Sequence, residues 1–347
     1  MTVLVTGGAG YIGSHMVLAL ADAGRDTIVL DDLSTGFADQ IPAGVRLIQG
    51  DCGDEALVQR LIREYGVTAI VHFAGSIVVP DSVTDPLGYY FNNTAKSRAL
   101  IAAAVAGGVR NFIFSSTAAV YGEPDISPIS ESSAMQPISP YGASKLMTEW
   151  MLRDTVAAHD IRSVVLRYFN VAGADPEGRS GQSFPRATHL IKLACQAALG
   201  QRSHLDVFGQ DYATPDGTCV RDYIHVSDLA RAHVLALDHL QKGGESLTMN
   251  CGYGRGFSVL EVIEAVKRVS GVDFAVRLAP RRAGDPPSLV AATDRIRERL
   301  AFRPERDELD LIVADALGWE VSLQQRVQER RAPRANSATQ GAPAFAV

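Results

Sequence analysis

Residues 3–13, with the sequence VLVTGGAGYIG, carry a short apolar run that leads directly into a glycine-rich turn. The run Val3–Thr6 predicts a buried strand, and the apolar periodicity after the turn predicts a helix over Ile12–Ala23. The turn has the pattern G-x-x-G-x-x-G, whose glycines allow positive φ angles and let backbone N–H groups approach a pyrophosphate at the positive end of the helix. A turn of this kind can also simply join a strand to a helix. Its candidate dinucleotide-binding residues are Gly7, Gly10, Tyr11, Ile12 and Gly13.

Beyond this stretch, short β-branched runs alternate with amphipathic segments, a pattern typical of a parallel sheet covered by helices on both faces. Strands are predicted near Val3–Thr6, Thr27–Leu30, Arg46–Gln49, Ala69–Phe73, Asn111–Ser115 and Ser163–Tyr168. Helices are predicted near Ile12–Ala23, Glu55–Tyr65, Leu87–Ala106, Pro140–His159, Val226–Leu240 and Val259–Val269. The predicted fold class is α/β, a Rossmann-like doubly wound parallel sheet with a smaller C-terminal α/β substrate-binding region.

The composition of the chain changes after Asn170, where loops rich in glycine and proline and scattered arginines begin. We expect a dinucleotide-binding domain at residues 1–171, a smaller substrate-facing region at 172–327 and a disordered tail at 328–347. The apolar run Leu247–Asn250 could return to the first sheet, so the second region need not fold independently.

Composition excludes several classes of protein. The 347 residues carry a net charge of -6 and no basic stripe before the last few residues, so we expect no nucleic-acid partner. No apolar run is long enough to span a membrane, and the start of the chain has no basic segment typical of a secretion signal. The four scattered cysteines suggest neither a disulfide framework nor a metal site. These features predict a soluble, cytoplasmic protein without a bound metal.

Two acidic residues, Asp31 and Asp32, follow the second predicted strand, about 20 residues beyond the glycines. A carboxylate there can accept the hydroxyls of an adenosine ribose and would repel a 2'-phosphate, which favours NAD over NADP. An acid after a strand can also serve only to form a turn.

Tyr141 and Lys145 lie four residues apart at the start of the helix opened by Pro140, so their side chains share one face. A tyrosine can act as a base near neutral pH only if its phenolate is stabilised, and a nearby ammonium provides that stabilisation. Thr117 follows a strand end, where α/β sheets bind ligands, and its hydroxyl could steady a reacting oxygen. Without a catalytic role, these residues would be a surface pair of side chains and a strand-end cap.

Seven motifs together resemble the extended short-chain dehydrogenase/reductase family and, within it, the UDP-glucose 4-epimerases. They are the glycine turn, His72–Gly75, Ser115–Thr117, Tyr141–Lys145, Arg167–Asn170, Val220–Val226 and Ala279–Asp285. The resemblance implies a tightly held NAD, a transient 4-keto sugar, interconversion of UDP-glucose and UDP-galactose, and a homodimer. It implies catalytic roles for Tyr141, Lys145 and Thr117, with Thr117 in place of the family's usual serine.

The resemblance also implies two further sets of residues. Additional cofactor-lining positions are Asp51, Cys52, Phe73, Ala74, Gly75, Asn93, Ser115 and Phe169. Substrate-binding positions are Thr117, Asn170, His189, Leu190, Phe208, Arg221, Tyr223, Arg282, Asp285 and Leu289. Arginine suits this set because its planar guanidinium pairs with diphosphate oxygens.

Some positions depart from the family pattern. Ile77 stands where a lysine is often found, and His189 where an asparagine is common. Leu289 lies where the bulk of the sugar pocket varies, so a UDP-N-acetylhexosamine or a UDP-pentose stays open as the substrate. Ala118 and Ala119 replace the acidic pair of the family's dehydratases, which disfavours a lyase. A net NAD-dependent oxidoreductase also stays open, whereas the presence of both Tyr141 and Lys145 argues against a non-catalytic NAD sensor.

Overall fold

The glycine turn lies at the centre of a parallel sheet. The computed structural model describes residues 2–282 and 285–331, and of residues 327–331 it describes the backbone. Its strands are β1 (Thr2–Thr6), β2 (Thr27–Asp31), β3 (Arg46–Gln49), β4 (Val67–His72), β5 (Asn111–Thr117), β6 (Arg162–Tyr168), β7 (Asn170–Ala172), β8 (Leu205–Phe208), β9 (Val220–His225), β10 (Leu247–Cys251), β11 (Gly256–Ser258), β12 (Val276–Ala279) and β13 (Ser288–Leu289). Its α-helices are α1 (Tyr11–Asp22), α2 (Glu55–Tyr65), α3 (Val79–Thr84), α4 (Pro86–Tyr89), α5 (Lys96–Ala106), α6 (Pro140–Ala158), α7 (Leu190–Ala198), α8 (Val226–Gln241), α9 (Val259–Ser270), α10 (Asp294–Leu300) and α11 (Leu309–Arg331).

The main sheet has the strand order β10-β6-β5-β4-β1-β2-β3, and all of its neighbouring strands run parallel. The order reverses between β1 and β4, and in open α/β sheets the crevice at such a reversal, beyond the carboxyl ends of the strands, is where ligands bind. The predicted fold class, a Rossmann-like doubly wound sheet, is confirmed. Strand β10 does return to this sheet, in register with β6 from Leu247 opposite Val164 to Cys251 opposite Tyr168.

Local sequence signals set the ends of several helices. Helix α2 begins where the Asp54 side chain accepts a hydrogen bond from the backbone N–H of Leu57, and it ends at Gly66 in the left-handed conformation. Helix α6 begins at Pro140, where Ser139 Oγ accepts from the N–H of Gly142. These are side chains that sequence alone can recognise as caps.

Apolar side chains fill both faces of the sheet. One face packs under α1 and α8, and the other under α2 and α5. A smaller group, which includes Phe169 and Leu146, packs between the start of α6 and the strand-end turn after β5. The second region adds a small sheet in the order β11-β9-β13, with β7 also paired to β9. The division of the chain at residue 171 stays a prediction.

Three expectations need correction. The helix predicted over Leu87–Ala106 is interrupted by a π-helical turn at Tyr90–Ala95, since the Asn93 side chain is drawn in to hydrogen-bond with Ser76 and Ser144. The fourth strand ends at His72, so Phe73 lies in the following loop. Helix α11 continues to Arg331, into the segment predicted as a disordered tail, and residues 332–347 lie outside the described residues.

Candidate active site

A cleft of about 290 Å³ opens at the strand-order reversal, at the carboxyl ends of β1, β2 and β4. It brings together twelve of the predicted cofactor-binding residues: Gly7, Gly10, Tyr11, Ile12, Gly13, Asp31, Asp32, Asp51, Cys52, Phe73, Ala74 and Gly75. The other predicted members of that set are not among the described residues that line the cleft: Asn93, Ser115, Tyr141, Lys145 and Phe169.

The glycine turn has no room for side chains. A Cβ atom on Gly7, whose φ is +72°, would lie 2.5 Å from the backbone nitrogen of Ala74. A Cβ atom on Gly13 would lie 2.1 Å from the carbonyl oxygen of Gly7. In the described part of the chain, no side chain caps the start of α1 and its first turn holds no acid. The free N–H groups at this end of α1 therefore fit a pyrophosphate.

Asp31 supports the turn as well as lining the cleft. Its carboxylate accepts hydrogen bonds from the N–H of Ala9, at 2.9 Å, and of Leu33, at 2.8 Å. Burial raises the pKa of Asp31, and these two hydrogen bonds act against that rise. Asp32 is exposed, and it accepts from the N–H and the hydroxyl of Ser34. The two neighbouring acids therefore have different roles: the buried Asp31 stabilises the glycine turn, whereas the exposed Asp32 bonds to Ser34.

Asp51 is paired with a cation that the sequence reasoning missed. Lys96 Nζ lies 2.8 Å from Asp51 Oδ2, and both residues line the cleft. Burial raises the pKa of Asp51, but the hydrogen bonds from Lys96 and from the N–H of Gly53 outweigh it and leave the pKa below its usual range. Lys96 lies at the start of α5, after the π-helical turn, where no motif marks it.

Asn93 acts on the cleft through its neighbours. Its Oδ1 accepts from the N–H of Ser76 at 2.7 Å, and its Nδ2 donates to the Ser76 carbonyl and to Ser144 Oγ. Ser76 lines the cleft and Ser144 lies on α6. The π-helical turn thus ties the loop after β4 to α6.

Tyr141, Lys145 and Thr117 come together where β5 meets α6, and all three are at least nine-tenths buried. Lys145 Nζ donates to the carbonyl oxygen of Ser115 at 3.1 Å and lies 5.0 Å from the centre of the Phe114 ring. Burial lowers the pKa of Lys145 to about 8. Burial raises the pKa of Tyr141, whereas a hydrogen bond from Thr117 lowers it.

This arrangement places a phenol, a hydroxyl and an ammonium near the cleft that the glycine turn lines. Residues 3–252 match the NAD dependent epimerase/dehydratase family. The chain belongs to this family. Its membership of the extended short-chain dehydrogenase/reductases, expected from the motifs, is thereby confirmed.

Relatives of this epimerase family cover nearly the whole chain. A UDP-glucose 4-epimerase of Azospirillum brasilense is 61% identical over 331 residues, which is 95% of this chain and 95% of the relative. The structure of UDP-glucose 4-epimerase from Brucella ovis in complex with NAD is similar at a TM-score of 0.89 and 45% identity, over 91% of this chain and 97% of that one. The structure of the UDP-Glc/GlcNAc 4-epimerase of Campylobacter jejuni is similar at a TM-score of 0.81 and 48% identity, over 92% of this chain and 99% of that one.

The substrate residues expected for this epimerase family lie in several places. Asn170, His189, Leu190 and Tyr223 line a cavity of about 30 Å³ beside the main cleft, and His189 lines both. Of the remaining ones, Thr117 lies at the end of β5, Phe208 at the end of β8, and Arg221 and Leu289 on the paired strands β9 and β13. Arg221 pairs with Asp285 at 3.2 Å and lies opposite Leu289 in the strand register, and the Arg282 guanidinium lies 3.8 Å from the centre of the Phe208 ring.

His189 also carries a buried ring nitrogen without a protein partner among the described residues, because its Nδ1 makes no hydrogen bond there. Burial lowers the pKa of His189 to about 4, so the ring is neutral near pH 7. Trp319 Nε1, on the wall of the same small cavity, is likewise unpartnered in the described part of the chain.

Two loops of this family member line the cleft without having been predicted. The segment 182–188, just before the predicted His189, contributes Gln182, Phe184 and Arg186, and the loop after β2 contributes Gln40. Gln40 is buried and donates from Nε2 to Ser183 Oγ at 2.5 Å, which holds the two loops together. Neither loop has a periodic pattern, so only the identity of single polar residues could have pointed to them.

The described residues include no group of three or more His, Cys, Asp or Glu side chains able to hold a metal ion. Within residues 2–282 and 285–331, no helix is both long and apolar enough to cross a membrane.

Proposed function

We propose that this protein binds NAD and interconverts UDP-glucose and UDP-galactose by epimerisation at C4 of the sugar. The observation that carries the proposal is the placement of Thr117, Tyr141 and Lys145 at the end of β5, next to the nucleotide cleft. Family membership and the 61% identity to a UDP-glucose 4-epimerase support it.

When bound, NAD supplies the acceptor and donor of the hydride at C4. Tyr141 takes the proton of the 4-hydroxyl as the 4-keto sugar forms and returns it when the hydroxyl is restored on the opposite face. Since burial raises the pKa of the phenol, its deprotonated form needs a nearby positive charge. Lys145, one helical turn away on the same face, carries that charge below about pH 8. Thr117 hydrogen-bonds Tyr141 and steadies the reacting oxygen.

The nucleotide half of the substrate is held by the second region. Asn170, His189 and Tyr223 line the small cavity beside the main cleft, and His189 Nδ1 is free to hydrogen-bond with a polar group of the substrate. Arg221 and Arg282 carry the positive charge that a diphosphate requires. Both arginines have partners within the chain, Asp285 and the Phe208 ring, which the substrate would share or displace.

A bulkier UDP-sugar is the second candidate substrate. Leu289 is partly buried against the cluster that contains Ala118 and Phe169, and it is smaller than an aromatic residue. The Campylobacter jejuni relative is described as a UDP-Glc/GlcNAc 4-epimerase. We therefore infer that this pocket can admit a UDP-N-acetylhexosamine in addition to UDP-glucose.

The deciding experiment supplies UDP-galactose to the purified protein without added NAD, stops the reaction at intervals and measures the UDP-glucose formed by chromatography. Sustained turnover with NAD copurified in the protein is the expected result. Turnover that requires stoichiometric added NAD and yields an oxidised sugar would instead identify a net oxidoreductase. Absence of turnover with either nucleotide sugar would refute the proposal.

We also propose that the protein is a cytoplasmic homodimer. Val83, Leu87 and Phe91 follow one another at intervals of four residues and are 63%, 79% and 64% exposed. Met147 and Trp150 on α6, which packs against α3 and α4, extend this apolar surface. Exposed apolar side chains on neighbouring helices favour an interaction site, and a second copy of the chain would cover them. The four cysteines are buried free thiols, which suits a reducing compartment.

A further inference from the structure

Three residues of α6 at intervals of four engage three consecutive residues of β5. Tyr141 is close enough to Thr117 for that hydroxyl to lower its pKa, Lys145 donates to the carbonyl oxygen of Ser115, and Glu149 accepts a hydrogen bond from Ser116 Oγ. Residues spaced in this way lie on one face of a helix. Glu149 is therefore a third attachment between the helix that carries the acid/base pair and the strand that carries its partners.

A buried ion pair holds Glu149 in place. Arg167 on β6 donates from Nε to both carboxylate oxygens, at 3.0 and 3.1 Å, and from a terminal nitrogen to Oε2 at 2.6 Å. The two side chains are 6% and 5% exposed. Arg167 lies opposite Ser116 in the register of β5 and β6. The Glu149 carboxylate is therefore hydrogen-bonded to two residues that face each other on adjacent strands.

Arg167 also connects Glu149 to a further set of buried hydrogen bonds. Arg167 also donates to the hydroxyl of Tyr121 at 2.9 Å, and that hydroxyl donates to Asn250 Oδ1 at 2.7 Å. All of these residues are buried. Residues of β5 and β6 thus hold the carboxylate of Glu149 in place. A shift of α6 along β5 would break its hydrogen bonds to Ser116 and to Arg167 together.

We propose that Glu149 is a positioning residue that sets the register of α6 on β5 and so holds Tyr141 and Lys145 at their reacting geometry. The proposal rests on the function proposed above. A buried ion pair is often no more stabilising than well-packed apolar side chains in its place, so stability alone does not account for this one. The reaction rate, by contrast, depends strongly on the placement of the catalytic groups, because a displacement of about 1 Å can lower the rate on the order of 100-fold.

The charge of Glu149 also acts on Lys145. Besides Tyr141, the ionisable groups that face Lys145 include Cys52, His72 and Glu149, and the negative charge of Glu149 favours the ammonium. Arg167 neutralises part of that charge through its bonds to Glu149. Removing the carboxylate alone leaves the Arg167 charge uncompensated, so the pKa of Lys145 should fall below about 8.

The test compares Glu149→Gln, the double variant Glu149→Met with Arg167→Met, and the control Asp228→Asn. Asp228 is also a buried carboxylate, paired with Arg231 at 2.9 Å and bonded to the hydroxyl of Tyr253. We expect kcat to fall on the order of 10- to 100-fold in both Glu149 variants, with bound NAD and KM retained. The control should lose stability but keep kcat. A double variant with wild-type kcat, whatever its Tm, would overturn the proposal, since the pair would then not hold the reacting geometry.

A second measurement does not depend on turnover. The chain has five lysines, so ¹³Cε NMR of labelled lysine can follow Lys145 as pH changes, with Lys145→Met to assign its signal. Glu149→Gln should lower the Lys145 midpoint, and Asp228→Asn should leave it unchanged. An identical midpoint in Glu149→Gln and wild type would refute the positioning role even if the proposed reaction is correct. A wild-type protein without epimerase activity would refute the reaction, and the Lys145 midpoint would still decide whether Glu149 acts on the lysine.

Discussion

Lys145 Nζ donates its 3.1 Å hydrogen bond to the backbone carbonyl oxygen of Ser115, and both residues are buried. The ammonium is thus bonded to a neutral oxygen, and burial lowers its pKa to about 8. In the unfolded chain the same group would titrate near 10.5. A group whose charge is needed for activity therefore titrates close to neutral pH.

Activity should accordingly decline as pH rises through about 8, because the Lys145 ammonium is lost there. The measurement is kcat against pH in the direction from UDP-galactose to UDP-glucose, with protein stability checked at each pH. If the residual activity of Lys145→Met declines over the same alkaline pH range as that of the wild type, Lys145 has no part in the mechanism.

Lys145→Met should lose activity yet gain stability at pH 7. The folded-state pKa of Lys145 lies below its unfolded value, so burial of the ammonium costs stability fully below about pH 8. That cost fades as pH rises from about 8 towards 10.5. We expect the variant to be more stable by on the order of 1 kcal/mol at pH 7 and to lose this advantage near pH 10, as measured by urea unfolding. Equal stability differences at both pH values would contradict this account.

Tyr141→Phe should lower turnover at least about 100-fold while NAD stays bound, since general acid/base action typically contributes that much. The substitution keeps the buried ring and removes the hydroxyl that bonds Thr117. Stopped-assay turnover and the NAD content of the purified protein provide the test. Tyr65→Phe, on α2 and outside the cleft lining, is the control that should keep full activity. Near-normal turnover in Tyr141→Phe would rule out the assigned base.

Asp31→Ala should weaken the preference for NAD over NADP. Its carboxylate lines the cleft and would repel a 2'-phosphate. Because Asp31 also accepts the N–H of Ala9, the variant should bind both nucleotides less tightly. Calorimetric titration of NAD and NADP gives the ratio of affinities. Asp32→Ala, which loses the exposed bonds to Ser34, should change that ratio less. An unaltered ratio in Asp31→Ala would leave the acid with only its turn-forming role.

Leu289→Tyr should discriminate against the bulkier sugar. A larger side chain beside Phe169 and Ala118 would take space that an N-acetyl group needs. We expect kcat/KM for UDP-N-acetylglucosamine to fall by about 1–3 kcal/mol in transition-state terms relative to UDP-glucose, the range that one group in a pocket usually contributes. Equal losses on both substrates would mean that residue 289 does not gate the pocket.

Leu87→Glu should convert the proposed dimer into a monomer, because it places a charge at the centre of the apolar surface formed by Val83, Leu87 and Phe91. Light scattering at several protein concentrations measures the change in mass. Ile126→Glu, at a residue that is 73% exposed in a separate loop, is the matched control and should leave the mass unchanged. A monomeric wild type, or a dimeric Leu87→Glu, would show that this surface does not join two copies.

The elements predicted best are those whose signals are local. Helix α2 and strand β3 occur at their predicted bounds, because caps, glycines and apolar periodicity act over a few residues. The pairing of Tyr141 with Lys145 is local in the same sense, since helical spacing alone puts both on one face. The glycine turn and the acid after β2 likewise pointed to the cleft, because the connection between a strand and its helix is short.

The rest depends on contacts between distant parts of the chain. Glu149 meets Ser116 across 33 positions, and Tyr121 meets Asn250 across 129, so no local pattern could reveal the buried pair or its network. The π-helical turn exists because Asn93 bonds Ser144, which lies 51 positions away. By itself, the sequence determined the Rossmann-like alternation of strands and helices, the nucleotide turn and the acid/base pair, because each follows from short-range sterics and hydrophobic periodicity. The tertiary structure alone decided which buried charges are paired and how α6 is held against β5, since a desolvated charge takes its partner from whatever the fold brings within hydrogen-bonding distance.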